Sequence, residues 1–140
     1  MFYLDTSIAI PIFLREAASS EILDWLDTPK KDLIAADWIV TEFASALFVK
    51  ARRGDVAQES ARSAWESFDR FCRSGLRLIP VTRTAFTRGA DLIRKAQGAL
   101  RAGDALHLAM ALEAGVAEVA TADEQFEQSA AAHGLAVTRF

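Results

Sequence analysis

Cysteine occurs once in the 140 residues, as Cys72, and histidine only twice. A lone thiol excludes an intrachain disulfide, and one cysteine with two histidines cannot close a structural zinc site. Lack of a disulfide framework fits a reducing cytosol, so a cytoplasmic location is expected. Proline is limited to three residues and glycine to seven, which excludes collagen-like and low-complexity chains. The longest apolar run, Ile8 to Leu14, contains Pro11 and is too short to span a bilayer. The opening MFYLDTSIAIPIFLRE lacks the basic n-region of a signal peptide, so neither export nor a membrane partner is expected. Positive charge is also not in excess. Sixteen basic residues face 19 acidic ones for a net charge of −3, which taken alone argues mildly against a nucleic-acid partner. Twelve of the basic residues are arginine, but 27 alanines beside them make compositional bias the plainer explanation.

What is present is core-forming material. Hydrophobic residues make up 51% and charged residues 25%, which suits one domain over residues 1–140. Short apolar runs alternate with longer helical patterns, the signature of β-α units around a parallel sheet. Strands are predicted at Phe2 to Leu4, Leu33 to Ala35, Leu76 to Val81, Glu118 to Ala120 and Leu135 to Thr138. The first helix is expected to open with Thr6 or Ser7 as N-cap and to be kinked or delayed by Pro11. A second runs near Ser20 to Leu26, capped by Ser19 or Ser20. A third runs from Asp37 or Trp38 to Arg53, with Val40, Ala44, Leu47, Phe48 and Ala51 at helical spacing and Gly54 closing it. Asp55 should cap the next, whose face carries Ala57, Ala61, Ala64, Trp65, Phe68 and Phe71, up to Gly75. Thr82 caps a helix to about Gln97, residues 98–103 form a loop, Asp104 opens a helix ended by Gly115, and Asp123 opens a last one to Ala132. The fold class expected is a three-layer α/β/α sandwich with about five parallel strands.

Open α/β sheets bind ligands outside the carboxyl ends of their strands. Asp5 ends the first strand, Asp123 follows the fourth, Asp104 starts the helix before the fourth, and Glu42 lies in the first turns of the helix after the second. All four acids therefore fall at one rim. Singly, Asp104 and Asp123 are explained as N-caps and Glu42 as a solvated helix residue, whereas Asp5, ending an apolar strand, is harder to explain without a partner. Gathered together, the carboxylates repel and one must take up a proton unless a cation intervenes. Oxygen-only donors suit Mg²⁺ or Mn²⁺, an ion that activates water and offsets charge on a phosphoryl group.

The segments YLDTS (Tyr3 to Ser7), TEFASAL (Thr41 to Leu47), LRAGDALHLAMA (Leu100 to Ala111) and ATADEQF (Ala120 to Phe126) occur in an order and at distances that resemble the PIN-domain family, especially its VapC-type toxin ribonucleases. The third segment is the most specific and the second the least. The resemblance implies about five parallel strands between helices, Mg²⁺- or Mn²⁺-dependent endoribonuclease activity on RNA, and inhibition by an antitoxin protein. It maps the acidic site, as catalytic residues and metal ligands, onto Asp5, Glu42, Asp104 and Asp123. On this mapping Asp5 and Asp104 are the expected most direct ligands, with Glu42 and Asp123 completing the shell directly or through water. Thr6 and Thr121 match small polar positions that hold a metal water or orient a carboxylate, and equally serve as a helix cap and a turn residue.

His107, one turn after Asp104, is expected to be a packed, hydrogen-bonded histidine. Arg101 is either a phosphate contact or a solvated loop residue. Lys50, Arg52 and Arg53 complement a helix dipole. Trp25, Trp38 and Trp65 are expected as core or interface anchors, and Cys72 as a small apolar residue. Phe43, Phe48, Trp65, Phe68 and Phe71 offer more apolar surface than one layer needs, so a homodimer is expected. The rivals lose on particular residues. A haloacid-dehalogenase phosphatase wants a second aspartate where Ser7 stands, a receiver domain wants a lysine near the last strands, and no GK[ST] segment supports a P-loop. The alternative that survives is a non-catalytic PIN-like module binding RNA or protein.

Overall fold

Phe2–Leu4 (β1) is a three-residue apolar strand, and in the computed structural model it becomes the centre of a five-stranded sheet. The structure describes residues 1–28, 32–96 and 98–140. Leu33–Ala36 (β2) and Glu118–Thr121 (β4) flank β1, Arg77–Ile79 (β3) pairs with β2, and Ala136–Arg139 (β5) pairs with β4. The order is β3-β2-β1-β4-β5 and all pairings are parallel. Chain direction along the sheet reverses between β1 and β4, so the crevice outside their carboxyl ends is the topological switch point.

Side chains alternate across the strands and divide the core into two layers. Tyr3, Ile34, Ala36 and Val119 face the layer built by Arg83–Lys95 (α5), Ala102–Glu113 (α6) and Glu124–Ala132 (α7). Leu4, Leu33, Ala35 and Ala120 face Thr6–Phe13 (α1), Ser19–Asp27 (α2), Trp38–Arg53 (α3) and Gln58–Ser74 (α4). This is the three-layer α/β/α arrangement expected of the sequence. The second layer is locked by aromatics. Phe43 and Phe68 stack at 3.9 Å with 14° between planes, and Phe13 meets both edge-on at 5.8 Å.

Several local expectations fail for identifiable reasons. The N-cap of α1 is Asp5, not Thr6 or Ser7, because those hydroxyls are committed elsewhere, and α1 runs through Pro11 rather than starting after it. Ser19 does not cap α2; its hydroxyl donates to Pro11 O at 2.7 Å and accepts from Glu16 N–H, stapling α1 to α2. Asp55 does not cap α4, which starts after Ala57, because its N–H is drawn back to Lys50 O in the turn that Gly54, at φ 82°, closes. The buried stripe of α3 is Ile39, Phe43, Leu47 and Ala51, so Leu47 and Ala51 fall as expected while Val40, Ala44 and Phe48 are only half-buried, and Phe43 takes the central place by stacking on Phe68. β3 is shorter than Leu76 to Val81, with Pro80 just beyond its end. Helix α6 begins at Ala102, so Asp104 lies in its first turn and Arg101 is the N-cap. Thr82 and Asp123 do cap α5 and α7 by side-chain hydrogen bonds. The expected end of α5 near Gln97 lies outside the described residues, and the last helical residue is Lys95.

The aromatics read as surplus surface are used within the chain. Phe43 and Phe68 are fully buried, and Phe48, Trp65 and Phe71 pack against that layer. Among the described residues, the exposed large apolar side chains are Met1, Leu23, Phe86 and Ile93. Trp25 packs edge-on against Phe2 and Phe140, each at 5.4 Å, and the Cys72 thiol is pushed up to about 11 by burial and by the charge of Asp69.

Candidate active site

The four acids reach one cavity from four segments. β1 delivers Asp5 at its carboxyl end, α3 carries Glu42 in its second turn, α6 carries Asp104 in its first turn, and the β4–α7 junction carries Asp123. All four line a cavity of about 460 Å³ together with Thr6, Ser7, Ile10, Ser45, Ala46 and Val49. No lysine or arginine is among these lining residues.

Three of the acids use one oxygen for the scaffold and keep the other. Asp5 Oδ2 accepts from Ser7 Oγ at 2.5 Å and from Thr121 Oγ1 at 2.8 Å. Glu42 Oε2 accepts from Thr6 Oγ1 at 2.6 Å and lies 2.7 Å from His107 Nε2. Asp123 Oδ1 accepts the Phe126 N–H at 2.9 Å, the N-cap bond of α7. The same hydroxyls tie the loop after β4 to α1, because Ser7 Oγ accepts from Ala122 N–H and Thr121 Oγ1 accepts from Asp123 N–H. Each carboxylate is thereby oriented by donors that the fold already holds.

Electrostatics single out Asp104. Burial first, then the charges of Asp123, Asp5 and Glu42, push its carboxyl up to about 6 from the usual 3.8, against a lowering contribution from the Arg101 backbone amide. Desolvation is the larger part, and the mutual repulsion of clustered carboxylates adds to it. Glu42 goes the other way. Burial works to raise its pKa, but the hydrogen bonds of His107 and Thr6, with the Trp38 indole N–H nearby, leave it below the usual range. The Trp38 indole N–H is buried near this carboxylate yet meets no acceptor at good hydrogen-bond geometry among the described residues.

The donors share a cavity but do not converge. Among the described residues, no three His, Cys, Asp or Glu side chains are gathered tightly around one point. Like charges with no interposed lysine or arginine push apart, and the scaffold bonds on Asp5, Glu42 and Asp123 hold each carboxylate against its own wall.

Four participants were not singled out in the sequence. Ser7 bonds Asp5, Tyr3 bonds His107 at 2.8 Å, Trp38 lies beside Glu42, and Gly103 leaves the space that Glu42 Oε1 fills, where a Cβ would collide with it. Tyr3 and Ser7 lie in the YLDTS segment and Gly103 in LRAGDALHLAMA, but nothing local assigned them these contacts. His107 is fully buried and hydrogen-bonded. Arg101 is exposed, Lys50 pairs with Glu16 at 2.8 Å, and Arg52 and Arg53 are exposed at the end of α3.

Comparison with known proteins follows the same lines. The family model described as PIN domain matches residues 2–132. Curated proteins yield no match. Among solved structures, the Mycobacterium tuberculosis toxin VapC20, described as cleaving the sarcin–ricin loop, superposes with a TM-score of 0.75 at 14% identity, over 92% of this chain and 95% of its own. A FitAB complex bound to a DNA fragment gives 0.74 at 20% identity, over 99% and 94%. Rickettsia felis VapBC2 bound to a promoter fragment gives 0.68 at 14%, over 99% and 98%. At these identities the likeness establishes the fold.

Proposed function

The chain belongs to the PIN-domain family, and from that premise we propose that it is a Mg²⁺- or Mn²⁺-dependent endoribonuclease, the toxin of a toxin–antitoxin pair. The observation that carries the reading is the shared cavity of Asp5, Glu42, Asp104 and Asp123 at the sheet switch point, with no lysine or arginine lining it and with Asp104 raised by burial and by the charges of the other three. That donor set, all carboxylate oxygen and short of counter-charge, fits a hard divalent cation.

Asp104 and the second oxygens of Asp5, Glu42 and Asp123 are the groups that would hold it. When bound, the ion supplies a Lewis acid that lowers the pKa of a water and offsets phosphoryl charge. The chain's part is orientation. Ser7 and Thr121 fix Asp5 through Oδ2, Thr6 fixes Glu42 through Oε2, and the α7 N-terminus fixes Asp123 through Oδ1. Ser45 and the apolar side chains Ile10, Ala46 and Val49 form the wall against which an RNA strand lies. Removing the four acids from the count leaves 16 basic and 15 acidic groups, from 16 and 19, so an ion-loaded site does not repel a phosphodiester.

The partners in this reading are an RNA substrate, an antitoxin protein that covers the acidic cavity, and a second copy of the chain. The exposed Phe86 and Ile93, one face of α5, are the apolar surface available for that second copy. Among the described residues no helix is long and apolar enough to cross a membrane, and a cytoplasmic site of action fits an RNA target. The test is calorimetric titration with Mn²⁺ together with cleavage of a single-stranded RNA. Metal binding and cleavage are expected, and both should be lost in Asp5→Asn and Asp104→Asn proteins that remain folded. Cleavage at the unsubstituted rate in either variant overturns the assignment, and absence of any Mn²⁺ site leaves a non-catalytic binding module.

A further inference from the structure

Behind Glu42 stands a buried pair that the proposed chemistry does not use. Tyr3, in the middle of β1, and His107, on α6, are both fully buried. Tyr3 Oη accepts the Ala36 N–H at 3.2 Å and lies 2.8 Å from His107 Nδ1. His107 Nε2 lies 2.7 Å from Glu42 Oε2 and 3.0 Å from Thr6 Oγ1, whose own proton goes to Glu42 Oε2.

Counting protons fixes the direction of every bond. If Nδ1 carried the ring proton, Tyr3 Oη would face two donors, the Ala36 N–H and the Nδ1–H. Its own proton would then be buried without an acceptor. With the proton on Nε2, every group is matched. Ala36 N–H donates to Tyr3, Tyr3 O–H to Nδ1, Nε2–H to Glu42 Oε2, and Thr6 O–H to that same oxygen. A phenol is protonated at neutral pH, so Tyr3 is a donor here. Glu42 needs such a hold. Its carboxylate shares a cavity with three like charges that push it away, and its side chain has three rotatable bonds with which to leave.

We propose that Tyr3 and His107 are positioning residues: Tyr3 selects the Nε2–H tautomer of His107, and His107 clamps Glu42 by Oε2, leaving Oε1 over Gly103 as the oxygen available to a divalent ion. The purpose of the clamp rests on the ribonuclease reading; the tautomer does not. Neither residue touches substrate, and Tyr3 acts on Glu42 only through the imidazole.

Two measurements test this. Nitrogen-15 NMR of the metal-free protein reads the ring directly, and a proton on Nε2 with a bare Nδ1 is expected; a protonated Nδ1 overturns the relay. Mn²⁺ calorimetry then compares the unsubstituted protein with Tyr3→Phe, His107→Leu and His107→Gln. Loss of a residue that orients a ligand lowers metal affinity by about 10- to 100-fold, and that range is expected for His107→Leu. Tyr3→Phe, which keeps the ring, should weaken binding less, and His107→Gln, which keeps an N–H donor for Glu42, should recover most of the loss. A purely structural pair would lower Tm in all three and leave Mn²⁺ affinity unchanged. That result in folded Tyr3→Phe and His107→Leu proteins overturns the proposal. An unsubstituted protein that binds no Mn²⁺ overturns the ribonuclease reading instead, and the NMR spectrum then decides the relay alone.

Discussion

Gly103 lies beneath the carboxylate of Glu42, so close that a Cβ at position 103 would occupy the place of Oε1. A glycine in the first turn of α6 sacrifices helix propensity, and here the sacrifice makes room for an acid from α3.

Gly103→Ala should therefore separate stability from activity. The methyl group meets the end of a flexible side chain and not backbone, so Glu42 swings away and its bonds to Thr6 and His107 break. RNA cleavage should fall by about 10- to 100-fold, while a thermal melt shows Tm unchanged or slightly raised by the helix-forming residue. A variant with normal cleavage would show that Glu42 needs no such space.

Asp104→Asn should stabilise the metal-free protein at pH 7. The Asp104 carboxyl titrates at about 6 in the folded chain and near 3.8 otherwise. Between those values the folded state binds more protons than the unfolded one, so stability falls as pH rises through the window. Asparagine removes that loss. The variant should melt a few degrees higher at pH 7 and match the unsubstituted protein at pH 3.5, with cleavage abolished. An equal or lower Tm at pH 7 contradicts the crowding described here.

Ser7→Ala strips Asp5 of one hydroxyl donor and leaves the Ala122 N–H without its 2.8 Å partner. An unmatched amide of this kind costs about 1–3 kcal/mol, measurable by urea unfolding. Metal affinity should drop alongside it, because Asp5 keeps only the Thr121 bond.

Phe68→Ala removes one half of the 3.9 Å stack with Phe43 and the edge contact with Phe13. Emptying a fully buried aromatic site costs about 3–5 kcal/mol. Urea unfolding should show that loss with the m-value unchanged, and cleavage at low temperature should persist in the fraction that stays folded.

Much of this was legible in the chain. Alternating short apolar runs and helical stripes pointed to the parallel sandwich, and acids at strand ends pointed to the rim because strand ends are where such folds bind. What the sequence hid depends on distant partners. Ser19 looks like a helix cap, but Pro11 O takes its hydroxyl. Ser7 has the same ambiguity, resolved by Thr121 from 114 positions away. Tyr3 reads as one more apolar strand residue until His107 arrives opposite its hydroxyl. Gly103 reads as a loop marker next to Asp104, and only the approach of Glu42 shows why a side chain is missing there.

The order β3-β2-β1-β4-β5 also governs when this protein is complete. The first strand of this sequence is the middle one, and one of its edges is covered only by Glu118–Thr121, far later in the sequence. Thr121 and Asp123 lie on that same late stretch, so a chain cleaved before it carries Asp5 without the Thr121 hydroxyl that aims it, and lacks Asp123 altogether.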